Sequence, residues 1–77
     1  MERNRDSRLR LLYVKDYMDA HRGAARAATM AQVLCMLGAK GIAADRRNIY
    51  EDLKLLETYG MPIRRSGNRR YRRYYTE

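Results

Sequence analysis

The amino-acid sequence predicts a mainly α chain with a small β-hairpin, in which a three-helix bundle is followed by two strands. Three observations carry that expectation. Apolar residues recur at helical spacing in three runs before residue 60, a glycine closes each of those runs, and after Gly60 the period shortens to that of a strand. Seventy-seven residues make one small domain, because chains of this size bury only about 60% of the surface their unfolded form exposes. The apolar fraction of 45% suits a folded protein, but without Trp or Phe the core must be built from Leu, Ile, Val, Met, Ala and Tyr.

Residues 1–7 are almost wholly polar, with Arg3 and Arg5 among Glu2, Asn4 and Asp6, and are expected to form a flexible basic arm ahead of a domain over 8–77. That arm is either a free tail or a minor-groove reader. From Arg8 to His21 the spacing predicts a helix with Leu11, Val14 and Met18 on one side and Leu9, Leu12 and Tyr13 on another. The first side packs on the domain. The second is left to cover the back of the hairpin or to meet another subunit, which makes a homodimer through this helix one expected arrangement.

Gly23 breaks the helix, and residues 24–28 are read as a small-residue loop, although their alanines could also prolong or restart helix. Thr29 stands three residues ahead of Gln32, the spacing of a capping box, in which side chain and backbone exchange hydrogen bonds at a helix start. A second helix follows from Met30 to Lys40, with Met30, Val33, Leu34 and Leu37 in one stripe and Gly41 as its stop. After the short turn Ile42-Ala43-Ala44, Asp45 is a good N-cap for a third helix over about 46–59, where Ile49, Leu53 and Leu56 form the apolar face. Its other face carries Arg47, Glu51, Lys54 and Thr58, with Asn48 at the margin, and contributes nothing to a core. Beyond Gly60, residues 61–65 read as a strand, Ser66-Gly67-Asn68 as a turn and residues 71–75 as a return strand rich in aromatic β-formers. Two strands alone are unstable in water, so the hairpin must lie on the helices with Ile63 and at least one of Tyr71, Tyr74 and Tyr75 turned inward.

Charge decides the expected function. Seventeen basic residues against nine acidic ones leave the chain at +8, and fourteen of the seventeen are Arg, the residue that forks onto phosphate and guanine. Residues 60–77 hold six Arg against Glu77, whereas residues 45–59 hold three basic residues against four acidic ones. The positive field is therefore concentrated in the hairpin. Helix, turn, helix, then hairpin is the order of a winged helix-turn-helix, in which the second helix of the pair puts its N-terminal residues against base edges in the major groove. The expected DNA-binding residues are Arg46, Arg47, Asn48, Tyr50, Glu51 and Lys54 on the third helix, with Arg64, Arg65, Asn68, Arg69, Arg70 and Arg72 on the wing over about 63–75. Arg matches guanine, Asn adenine and Glu the cytosine amine, each pair being worth about 1–3 kcal/mol of discrimination. The blander alternatives are helix-terminal ion pairs for Arg46 and Arg47 with Glu51 or Asp52, packing for Tyr50, and an intramolecular Arg partner for Asp52.

Several runs together resemble the N-terminal winged helix-turn-helix of the WYL-domain bacterial transcription regulators. They are Leu9-Arg-Leu-Leu-Tyr-Val with Met18, Thr29-Met-Ala-Gln-Val-Leu, Gly41-Ile42, Asp45-Arg-Arg-Asn-Ile-Tyr-Glu-Asp-Leu and Tyr59-Gly-Met-Pro-Ile. The likeness covers about residues 8–75, its most specific part being the block that begins at Asp45. It implies that this block reads DNA through Arg46, Arg47, Asn48 and Tyr50, and that Arg64 to Arg73 form the wing. Two positions depart from the family pattern: Asn48 stands where Thr or Ser is usual, and Glu51 where Arg is frequent. The larger regulators continue into a ligand-sensing domain, so this chain is either a cut-out domain or a stand-alone binder, with no small-molecule ligand expected.

Other chemistry is weakly supported. One Cys and one His exclude an internal disulfide and a zinc site, and no nucleophile with a base or glycine-rich phosphate loop points to an enzyme, a metal or a cofactor. His21 reads as a helix-end residue and Cys35 as a partly exposed thiol without an activating base. No apolar run spans a bilayer and no signal-peptide core follows the start, so a cytoplasmic protein is expected. The competing functions are a protein-interaction module on the same fold and single-stranded nucleic-acid or RNA binding through the Arg- and Tyr-rich hairpin.

Overall fold

The computed structural model describes residues 2–67 and 72–77, with side chains from Ser7 onward. Among these residues it holds three α-helices and a three-stranded antiparallel sheet: α1 Glu2–Ala20, β1 Ala28–Thr29, α2 Met30–Ala39, α3 Arg46–Tyr59, β2 Ile63–Ser66 and β3 Arg73–Thr76.

Two expectations need correction. The helix expected from Arg8 begins at Glu2, so residues 2–7 continue α1 instead of forming an arm. Once a helix is nucleated each further residue adds a backbone hydrogen bond, and no Gly or Pro in this segment stops it. Residues 24–28, read as loop, contain a 3₁₀ turn over Ala24–Arg26 and then β1, whose Ala28 and Thr29 pair with Tyr74 and Arg73. The two-stranded hairpin is thus a sheet of order β1-β3-β2, with β3 in the middle. The register pairs Ile63 with Thr76, Arg64 with Tyr75, Arg65 with Tyr74 and Ser66 with Arg73. Residues 68–71, on which part of the expected turn and return strand fall, lie outside the described residues.

Local chemistry sets the helix ends as the capping residues require. Thr29 accepts from the Gln32 amide at 3.1 Å while Gln32 Oε1 accepts from Thr29 N–H at 2.8 Å. Asp45 and Asn48 repeat the exchange at the start of α3, at 2.9 and 3.1 Å. At the other ends Gly41 and Gly60 take φ of 78° and 121°, a region that side chains disfavour. The next amides, Ile42 and Met61, donate back to Leu37 and Leu56, each at 2.9 Å, and so satisfy carbonyls the helix leaves open.

The core lies between the three helices and one face of the sheet. Val14 and Met18 come from α1, Met30, Val33 and Leu37 from α2, Ile49, Leu53 and Leu56 from α3, and Ile63 and Tyr74 from the strands. The expected stripes are therefore the buried ones, with Leu11 and Leu34 at their edges. The second side of α1 divides. Leu9 and Tyr13 rest against the core, whereas Leu12 is 55% exposed. The chain end is tied down by Gly23 N–H on Thr76 O at 2.8 Å and by the buried Thr76 hydroxyl on Pro62 O at 2.9 Å. No described helix is long and apolar enough to cross a membrane.

Candidate nucleic-acid interface

Stepping 100° per residue around α3 separates three flanks outside its core stripe. Arg47, Glu51, Lys54 and Thr58 form the outward one, and all four are exposed. Tyr50 and Glu57 face the sheet, while Asp52, Leu55 and Tyr59 face α1. Arg46 is exposed beside Tyr50, and Asn48 is half-buried at the α1 margin.

The sheet-side flank is joined to the hairpin by a chain of contacts. Tyr50, 49% exposed, meets the buried Tyr74 ring edge-on with centroids 6.3 Å apart. Arg65, directly across from Tyr74, lays its guanidinium 5.8 Å from the centre of that ring and reaches Glu57 Oε1 at 3.4 Å. Edge-to-face rings and a cation over a ring are each attractive through the ring quadrupole, so the four side chains hold β2 and β3 against α3. Burial first, and then the Tyr50 hydroxyl, push the Tyr74 phenol up to about 12, while Arg72 and Arg65 pull it the other way.

Strand alternation divides the hairpin arginines between two faces. Arg65 shares the helix side with Ile63, Tyr74 and Thr76, whereas Arg64 and Arg73 lie on the far side with Tyr75. Arg64 is 3.6 Å from Glu77, and Arg73 donates to Ala27 O at 3.3 Å. Asn68, Arg69 and Arg70 lie outside the described residues. On α3, Arg47 stands 3.6 Å from Glu51 at i,i+4, the ion-pair alternative foreseen for it. Both side chains are largely exposed, so the pair is weak and open to exchange with a stronger anion. Asn48 is partly committed, since its side-chain oxygen accepts from Asp45 N–H and only its amide donors remain for a ligand.

A buried ion pair joins α3 to α1. Arg10 Nε and Nη2 donate to the two oxygens of Asp52 at 2.6 and 3.0 Å, with Asp52 1% exposed. The bond to Asp52 raises the Arg10 guanidinium pKa above its ordinary value, against the opposing effect of burial. An Arg partner for Asp52 was expected, but not this one. The signal was present: Arg10 stands four residues before Val14 and Asp52 three after Ile49, so opposite charges sit inside two apolar stripes. Elsewhere His21 stacks on Tyr17 with centroids 4.2 Å apart and bonds its carbonyl through Nδ1, and Cys35 is an exposed free thiol.

Comparison of the chain with protein-family models, with curated proteins and with solved structures finds no match in any of the three. The functional reading therefore rests on residues and geometry.

Proposed function

We propose that the chain binds double-stranded DNA in a sequence-specific manner, as the DNA-reading module of a bacterial transcription regulator, and that its three helices and sheet act as a winged helix-turn-helix. In this reading α2 and α3 are the helix pair, α3 enters the major groove, and the β2–β3 hairpin is the wing on the adjacent backbone or minor groove. The observation that carries it is the Tyr50–Tyr74–Arg65 contact. It ties the second turn of α3 to the hairpin, so Arg46, on the Tyr50 side of α3, borders the same edge of the molecule as Arg65, with the exposed Arg47 and Lys54 on the adjoining flank. The Asp45 side chain already accepts from one amide of the first turn of α3, that of Asn48, so the cationic side chains are the main groups offered to phosphate.

The single-stranded alternative loses one of its stacking rings, because Tyr74 is 3% exposed and Tyr75 only half-exposed. An anisotropy titration with duplex, single strand and RNA at two salt concentrations tests the reading. Duplex is expected to bind tightest. Replacing Arg46 and Arg47 by Ala is expected to flatten preference among duplex sequences by about 1–3 kcal/mol per lost base contact, whereas Arg64→Ala with Arg72→Ala weakens all duplexes alike. If both pairs leave duplex affinity intact, α3 and the hairpin do not touch DNA.

A further inference from the structure

An apolar groove opens between α1 and α3, away from the hairpin. Leu11, Leu12, Lys15, Leu55, Leu56 and Tyr59 line it, with Leu12 and Leu55 each 55% exposed and Tyr59 80%. Exposed apolar side chains gathered in one place mark a contact surface more often than singly scattered ones do. The pattern of charge along α1 says what covers it.

Leu12 is central to the solvent-facing stripe of α1. Within about 40° of it around the helix stand Arg8 one turn before and Asp16 one turn after, both exposed. Basic on one side of Leu12 and acidic at the same distance on the other is a charge palindrome. A helix with this pattern complements itself only when reversed, because a two-fold axis at Leu12 sets Arg8 of each copy opposite Asp16 of the other. Such reciprocal pairing of residue i with j and j with i is the signature of an isologous interface. A parallel arrangement would instead set Arg8 on Arg8.

We infer that this face is a homodimer interface, in which α1 of two chains packs antiparallel across Leu12, each Leu12 enters the groove beside Leu55 and Tyr59 of the other copy, and two Arg8–Asp16 pairs close the ends. The small apolar area, against the roughly 1,600 Å² of a standard interface, makes it a weak, concentration-dependent dimer. The net charge of +8 opposes association until salt screens it, with a Debye length of about 8 Å at physiological ionic strength. The outward flank of α3 and the hairpin stay uncovered, because Leu55 lies about 80° around α3 from Arg47.

Sedimentation equilibrium of the whole chain at physiological salt tests this without any nucleic acid, so its outcome is independent of the DNA reading. The wild type is expected to approach twice 9.1 kDa as concentration rises. Arg8→Asp alone and Asp16→Arg alone set like charges together and are each expected to stay monomeric. An equimolar mixture of the two variants restores both pairs across a heterodimer and is expected to regain the doubled mass. Because both positions are exposed, matching thermal melts check that each variant is folded. A wild type that stays at one chain, single variants that still dimerise, or a mixture that stays monomeric would each overturn the proposal.

Discussion

Asp52 and Arg10 show how single residues set the position of a whole helix. A carboxylate 1% exposed has lost its water, and only the two-pronged guanidinium contact, at 2.6 and 3.0 Å, compensates it. Removing one partner leaves the other as an unpaired, mostly buried charge, with the Arg10 side chain 13% and that of Asp52 2% exposed, which costs about 3–5 kcal/mol, whereas replacing both by apolar groups of similar volume is close to neutral. Asp52→Ala is therefore expected to lower the melting temperature by about 12 °C or more, since each kcal/mol is worth roughly 4–8 °C in a domain of this size. Arg10→Met with Asp52→Leu is expected to recover most of that loss. An Asp52→Ala melt within about 3 °C of the wild type would mean that the pair carries no stability.

At the scale of elements, the contact between α3 and the hairpin makes stability depend on alkaline pH. The Tyr74 phenol stands at about 12 in the folded chain, above its ordinary value of about 10. Folding therefore favours the neutral ring. The stabilisation is complete below pH about 10 and is lost as pH rises through about 12. Melting temperature should fall across that window more steeply for the wild type than for Tyr74→Phe, which keeps the ring and loses the titrating group. Equal slopes would remove Tyr74 from the account. The elements themselves were legible wherever one local rule sufficed: the apolar stripes of α2 and α3, the capping box at Thr29, the Asp45 cap and the stops at Gly41 and Gly60. What was not legible depends on distant partners. Residues Ala28 and Thr29 form a strand only because β3 lies beside them, and two residues have no period to recognise. The separation of Arg64 from Arg65 onto opposite faces was legible, since neighbours in a strand alternate and Ile63 was expected inward, but that Arg65 lies across from Tyr74 depends on a register that no local rule sets.

For the molecule as a whole, the balance between self-neutralisation and binding decides what the +8 charge does. Several arginines of the candidate interface already have acidic neighbours: Arg47 has Glu51, Arg65 has Glu57 and Arg64 has Glu77, at 3.4–3.6 Å. These pairs are at least partly exposed, and pairs of that kind contribute about 0–1 kcal/mol, too little to hold an arginine away from a phosphate row. Duplex binding should therefore recruit them at small cost, and the paired residues should act as phosphate ligands alongside Arg46, Lys54 and Arg72. If about six phosphates are neutralised, affinity falls roughly a thousandfold between about 50 and 200 mM salt, a slope near −5 on logarithmic axes. Neutralising the partners by Glu57→Gln and Glu77→Gln tests whether the internal pairs compete: it should raise affinity at every salt concentration without steepening the slope by more than about one unit per charge removed. A slope close to zero for the wild-type chain would mean that the arginines are held by their own acids, and the cationic hairpin would then be a solvated surface and not a binding one.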